Sequence, residues 1–509
     1  MKNFKYIILL ILIINLVVSC NDFLDEEPSK STATVPDKLE HLEALLNNYG
    51  EFYSEPAAEL IFSTDDYGFI TDLYDASTSS YSLTSLQYGT WDKEYLSNTN
   101  RPYWPREWEK IFTANLVMQN LGSVAGEDTE KKQIKAEAHF IRAYSYFQLA
   151  NIYCLPYTEG NKQELGLPIK ETTSFEESME RVSLEDTWKF IESDLNKALE
   201  LTRSFTQVND LNRTWRASTA AVNGFAARYY LALNNYEMAQ SYAQKALNEY
   251  DFLRDYNTDM SFSDAPTQVT IFNPEPTQVS IDFPYTHDSQ EADLMLAWGE
   301  SYYFRALSNG SWKYWPSEEL LSLYNQTYDL RFKYHMVEGY SYEQANAVDP
   351  PYNYPGYVFF HRSDILSGPS VPEMLLILAE CQVRTGAYAQ GIQTVNQLRA
   401  SRMDASAPSE IINLSAASQA EALVKVLEER RREMPFVHRW YDIRRYNNNE
   451  DSSDDVVVTR TFYPYNGSSI LGAETPVNFS LEKNSRRYAN PLPDTDIIAS
   501  DNVLKQNTY

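Results

Sequence analysis

Cysteine is almost missing from this chain of 509 residues: Cys20, Cys154 and Cys381 are all it has, too few for a disulfide framework. Cys154 and Cys381 stand in apolar segments of helical period and read as buried free thiols, a single bridge between them being the alternative. Histidine is scarce too, with six residues at 41, 139, 287, 335, 361 and 438, none at metal-ligand spacing. No His-Glu-x-x-His, Gly-x-Ser-x-Gly, Gly-x-Gly-x-x-Gly or phosphate loop occurs. Nor does any carboxylate pair stand out among 71 acidic residues, so the chain reads as a non-enzyme without cofactor or metal. Positive charge is short as well: 43 Lys and Arg leave a net charge of −28. With no basic stripe to neutralise phosphates, nucleic acid is excluded as a partner, and the acidity is mainly a statement about solubility. Long apolar runs are limited to one, Tyr6 to Val18, shorter than the ~20 residues a spanning helix needs.

That run follows Lys2 and Lys5 and ends in Leu16-Val-Val-Ser-Cys20, the layout of a secretory leader. Its cleavage site resembles the bacterial lipobox, which implies that residues 1–19 are removed and that Cys20 is acylated as the first residue of the mature chain. Residues 20–35 begin Cys20-Asn-Asp22-Phe-Leu-Asp25-Glu26-Glu27 and continue through Pro28 into Ser, Thr and Ala; they read as a solvated acidic tether. Acidic residues directly after the acylated cysteine resemble the surface-export signal of Bacteroidetes lipoproteins, implying a protein that faces the outside of the cell.

What the chain has in quantity is aromatic residues, with Tyr 38, Phe 23 and Trp 9, and helical periodicity. Apolar residues recur at helical spacing over 36–48, 106–122, 131–153 and 183–201. A hairpin is expected over 217–249, where Ala227, Tyr230, Ala239, Ala243 and Ala246 fall near tetratricopeptide spacing and Asn234-Asn235 makes the turn. Another is expected over 371–402 around Thr385-Gly386, and a last long helix over 417–446. The fold class expected is mainly α: a tetratricopeptide-like scaffold of about four degenerate helical hairpins, in one domain over 36–509. Two long irregular excursions, about 50–105 and 255–370, interrupt it. The first has no sustained period. In the second, the near-duplicates Pro266-Thr-Gln-Val-Thr-Ile and Pro276-Thr-Gln-Val-Ser-Ile alternate polar with apolar and suggest short strands or a hairpin arm.

Ala136-Glu-Ala-His-Phe-Ile-Arg142-Ala-Tyr144, Glu373-Met-Leu-Leu-Ile-Leu-Ala-Glu380, Asn396-Gln-Leu-Arg399, Glu429-Arg-Arg-Arg-Glu433 with Arg439-Trp-Tyr-Asp442-Ile-Arg444-Arg445, and the closing Gln506-Asn-Thr-Tyr509 together resemble the SusD/RagB family of outer-membrane nutrient-binding lipoproteins. The resemblance covers nearly the whole mature chain. It departs at Cys154-Leu-Pro156, where the family's usual turn is Gly-Asp-x-Pro, and at Met434-Pro-Phe436, where a Glu-Gly pair is common. The resemblance implies a tetratricopeptide-like fold, glycan or occasionally peptide binding on an irregular face, an outer-membrane location, and a SusC-like TonB-dependent transporter as partner. The Glu433 and Arg430 to Arg432 cluster reads as ion-pair scaffolding.

Aromatic residues crowd both excursions. Flat rings bury the C–H faces of sugars while Asn and Arg bond hydroxyls. Trp91, Tyr303, Trp312 and Tyr314 lie in turn-rich sequence, where sugar stacking and core packing both stay open; Asn98 and Arg101 are the polar companions. Trp108, Ile111, Phe112 and Asn115 continue into a helix and are expected in the core, and Trp315 is expected to be structural. The leading expectation is surface binding of glycan and its delivery to the transporter. The alternatives are a peptide-binding member of the same family, a helical-repeat scaffold for other proteins, and, more remotely, an anchored hydrolase. A repeat scaffold alone would not need two aromatic excursions.

Overall fold

The computed structural model describes residues 36–509 apart from 57, 99–102, 206, 209–210, 273, 289–291 and 345–351. The leader, Cys20, the tether and Arg101 lie outside the described residues, as does the side chain of Asn98. Ten helices of eight or more residues form the scaffold among those described: α1 (Leu39–Leu46), α2 (Tyr103–Asn120), α3 (Asp128–Tyr153), α4 (Leu184–Ala198), α5 (Thr219–Ala232), α6 (Tyr236–Glu249), α7 (Val371–Arg384), α8 (Tyr388–Ala400), α9 (Gln419–Glu433) and α10 (Arg439–Tyr446). Five begin with a side-chain oxygen accepting a backbone N–H of the first turn, from Ser183, Ser218, Asn235, Ser370 and Ser418, each worth about 1 kcal/mol.

Small residues set how closely the helices stack. Helices α5 and α6 pack on each other, and Ala220, Ala221, Ala226 and Ala227 of the one and Ala239, Ala243 and Ala246 of the other are all fully buried. Asn234 turns the chain between them at φ +56°, a left-handed conformation that asparagine tolerates. Between α7 and α8 a Cβ at Gly391 would stand 2.8 Å from the carbonyl oxygen of Ala379. The stack is continuous: α3 packs on α2 and α4, α6 on α7, and α7 on α8 and α9. Thus α2 lies along α3 more than along α1. Cys154 and Cys381 are buried free thiols, and burial pushes both thiols up.

Two expectations are corrected. The last long helix is two helices, because Pro435 has no N–H to give and cannot continue α9; Phe436 then turns at φ +69° and donates its N–H to Asp66 Oδ2 at 2.9 Å. The first excursion is not structureless, since it coils into short helices at Ala58–Phe62, Thr71–Ala76 and Leu83–Gly89 that bury Leu60, Ile61, Leu73, Leu86 and Tyr88.

A small sheet ties the excursions together. Strand β1 (Ser54–Pro56) of the first runs parallel to β4 (Ala306–Ser308) of the second, which pairs antiparallel with β5 (Asp364–Leu366). The near-duplicate segments form the expected hairpin arm, β2 (Thr267–Phe272) against β3 (Pro276–Ile281). Buried ion pairs fasten the excursions to the scaffold. Arg439 grips both oxygens of Asp65 at 2.7 Å, and Arg431 reaches Asp66 at 2.5 Å. Glu433 pairs with Arg402 and Arg331, so this cluster reaches across elements more than along its own helix. Burial alone would push the Asp65 carboxyl up, yet Arg439 and Arg431 hold it well below its ordinary value. Removing one member of such a pair leaves a buried charge alone, at about 3–5 kcal/mol.

Candidate functional site

Of the four aromatic candidates, the fold buries three. Trp91 is 2% exposed; its Nε1–H donates to the Ser63 carbonyl at 3.0 Å and its ring stands 5.3 Å from the Arg460 guanidinium. Tyr303 is wedged against Phe140 and under Arg305, with centroid distances of 4.7 and 4.8 Å. Tyr314 packs on Phe436 and donates its hydroxyl proton to the Ser363 carbonyl. These three belong to the core and offer no ring face to a ligand. Turn-rich sequence proved a poor marker of exposure, because the excursions fold against each other and against the segment between α9 and α10. Asn98 and Arg101 cannot be placed among the described side chains.

Trp312 is the exception, at 40% exposure. The turn that presents it is built from Asn309. That residue's carbonyl accepts the Trp312 N–H at 2.8 Å, its Oδ1 accepts from Ser311 N and Oγ, and its Nδ2 donates to the Lys313 carbonyl. Buried Tyr314 supports the turn from below, its hydroxyl oxygen accepting the Asn309 N–H at 2.8 Å. Tyr314 is thus a brace for Trp312. The Tyr340 hydroxyl holds the Trp312 carbonyl. Trp312 itself sits at φ +58°, an outlier for a bulky residue that persists only where the surroundings over-determine it.

Beside the ring lies a second strained turn. His361 and Arg362 take φ +39° and +61° in succession, and the His361 ring meets Trp312 edge-on, 5.8 Å between centroids. Arg362 lies over Phe283 at 4.3 Å and pairs with Glu343. Lys313 donates to the Ser79 carbonyl of the first excursion, and burial lowers its pKa. Burial also raises the Asp364 carboxyl. The result is one open aromatic ring with His361 against it and with Arg362, Lys313 and Asp364 on the same turns of the second excursion, which Lys313 ties to the first through Ser79. Among the described residues no cluster of three His, Cys, Asp or Glu is placed to hold a metal ion. Sequence reasoning weighed His361 only as a metal ligand and passed over Arg362; the signal was a His-Arg pair ending the apolar run Tyr357 to Phe360.

A second concavity was missed. Helix α2 and the loop of residues 170–179 enclose about 820 Å³, with Trp108, Phe112 and Phe175 in its walls. Phe112 is 39% exposed and Trp108 only partly buried, which corrects their placement in the closed core.

A helical-hairpin stack whose long excursions carry a braced, solvent-facing aromatic residue defines a tetratricopeptide-like scaffold with a loop-built face. The family model described as starch-binding, associating with the outer membrane, of SusD-like type, matches residues 22–231, and the SusD family model matches 372–509. The chain belongs to the SusD/RagB family. It is 22% identical to SusD-like protein P2 of Formosa agariphila over 99% of both chains. Its fold is that of a putative sugar binding protein from Bacteroides vulgatus (TM-score 0.63, 18% identity, 93% of this chain and 99% of that one). It is also that of a laminarin binding SusD-like protein (TM-score 0.53, 17% identity, 83% and 96%).

Proposed function

We propose that the protein captures glycan at the outer surface of the cell, with Trp312 as its stacking platform, and passes it to a SusC-like TonB-dependent transporter. The observation that carries the reading is Trp312: a large ring left open to solvent, bonded at both its N–H and its carbonyl in a turn braced through Asn309, and held in a backbone conformation it would not adopt unaided. Arg362, His361 and Lys313 supply directional bonds to hydroxyls around it. Family membership and the laminarin binding relative of the same fold support the choice of ligand class. The protein works as a binder and not as an enzyme.

Attachment is through lipid on Cys20, several acyl chains anchoring firmly at about 0.8 kcal/mol per buried CH₂. No helix among the described residues is long and apolar enough to cross a membrane. A glycan array of the soluble mature form, followed by calorimetric titration of the best ligand against wild type and Trp312→Ala, tests the reading. Equal affinities would sink it. A tagged native protein should bring the transporter out of gentle detergent through an interface above ~2,000 Å², and Cys20→Ala should move the protein to the soluble fraction.

A further inference from the structure

The cavity between α2 and residues 170–179 has no part in the site around Trp312. Its α2 wall carries Trp108 and Phe112 one turn apart on a single helix face. Trp108 is fixed edge-on between Trp104 and Tyr146, with centroids at 5.4 and 5.5 Å. The opposite wall is the loop, and it is tied down. Asn115 Nδ2 donates to the carbonyls of Lys170 and Thr172 at 3.1 Å, the Lys170 N–H donates to the Tyr146 hydroxyl at 2.7 Å, and Thr173 Oγ1 donates to Gln119. Phe175 stands out from this strap at 93% exposure, its ring within 22° of parallel to Phe112 and 6.3 Å from it.

Two features identify the occupant. First, both cations of the lining are already engaged: Arg106 pairs with Glu109 at 3.1 Å and Lys170 donates to the Glu177 carbonyl. Carboxylates outnumber cations, with Glu51 and Asp496 also in the lining, so among the described residues an anionic ligand meets more negative than positive charge. Second, Trp108 Nε1 is a buried donor without an acceptor among the described residues. An acyl chain or an apolar side chain would seal that donor unpaired, at a cost, whereas a hydroxyl oxygen satisfies it. Rings for stacking, Thr172, Thr173 and Ser174 in the lining, an unpaired N–H and no free cation among the described residues suit a neutral polyhydroxylated ring, and the volume falls in the range of small-ligand sites.

We propose that this cavity is a second carbohydrate site, taking a neutral sugar unit against the aromatic wall of Trp108, Phe112 and Phe175 with Trp108 Nε1 donating to one of its hydroxyls. It rests on the reading of the protein as a glycan binder and is independent of Trp312. The soluble mature protein is labelled with 5-fluorotryptophan, and the resonances of Trp108 and Trp312 are assigned with Trp108→Phe and Trp312→Phe. It is then titrated with neutral oligomers of β-1,3-, β-1,4- and α-1,4-glucan, xylan and mannan. At least one oligomer should move the Trp108 resonance, should still do so in Trp312→Ala, and should need at least tenfold more ligand in Phe175→Ala, whose exposed ring can be removed without lowering the melting temperature. Oligomers that move Trp312 but never Trp108 overturn the second site and leave the first standing; oligomers that move neither overturn both. A Trp108 shift abolished by Trp312→Ala means one site, not two. A Trp108 resonance that moves with protein concentration alone, or on deletion of residues 20–35, assigns the cavity to a second copy or to the chain's own tether and overturns the proposal.

Discussion

Trp91 and Trp312 lie in different excursions and enter the same left-handed backbone, at φ +53° and +58°. One is 2% exposed and the other 40%. Local conformation therefore does not separate a core tryptophan from a presented one. The difference lies in what arrives from elsewhere in the chain. Over Trp91 comes Arg460, from the strand Val458–Phe462, whose Nη2 bonds the Thr64 carbonyl and whose guanidinium is flanked by the rings of Trp91 and Phe69. Against Trp312 the described residues set one ring, that of His361, edge to face, while the hydrogen bonds of Trp312 brace its backbone. Among the described residues, the first excursion has been absorbed into the core, and the second has kept Trp312 outside it, along with Phe262 and Phe272.

The comparison breaks most severely at Trp91. Trp91→Ala should cost about 3–5 kcal/mol of stability, read as a lowered denaturant midpoint, because it opens a large cavity and strips the packing from a guanidinium already poor in acceptors. A midpoint as high as wild type would show that Trp91 is not core.

Acid sharpens the contrast between the excursions. His335 lies beneath the second one, its Nδ1 bonding the Val358 carbonyl at 2.9 Å. Burial above all, with Arg402 and Arg331 adding to it, lowers its pKa from 6.5 to about 4. Between those values the unfolded chain binds a proton that the folded chain refuses, so stability falls as pH falls through this window, by up to about 3 kcal/mol in all. Asp65, under the first excursion, is shifted the other way: its pKa is depressed, and its contribution stays intact until pH drops below the ordinary carboxylate range. Hydrogen exchange at pH 7.5 and pH 5 should show residues around 330–360 losing protection first, and His335→Gln should flatten the pH dependence of the melting temperature. Equal loss in both excursions would remove the distinction.

Trp312→Ala should leave the melting temperature within about 1 °C of wild type and lower glycan affinity roughly tenfold. About 60 Å² of ring contact at ~25 cal/mol per Å² is about 1.5 kcal/mol. The smallest effect is the most discriminating: Trp312→Gly should bind as weakly as the alanine variant yet gain up to about 1 kcal/mol of stability, since glycine accepts φ +58° without strain. A loss of stability instead would mean that the ring packs.

The helical scaffold was legible because its signals are short-range. Apolar spacing over 131–153 and 371–402, the Asn234-Asn235 turn, and the stop at Gly386, where φ is +95°, each act within a few residues. The β2–β3 arm was legible from its alternation, and Tyr314, weighed as a stacking ring, is buried and props the residue that faces solvent. Missed were features set by partners distant in sequence: the break at Pro435 closed by Asp66, the pairing of His361 with Trp312, and the opening of α2 onto the loop of residues 170–179. Phe112 and Trp108 carry a faultless helical stripe, and periodicity cannot say whether the facing element closes over it or stands off as a strap.

The sequence by itself determined which segments coil, where they turn and which family the chain resembles, because hydrogen bonding within a turn of helix and the spacing of apolar side chains are local quantities. Tertiary structure alone decided which rings stay outside. Exposure is a property of what covers a residue, and the cover for Trp91, Tyr303 and Tyr314 comes from Arg460, Phe140 and Phe436. Each is brought there by the packing of helices and strands whose own sequences say nothing about the residue beneath.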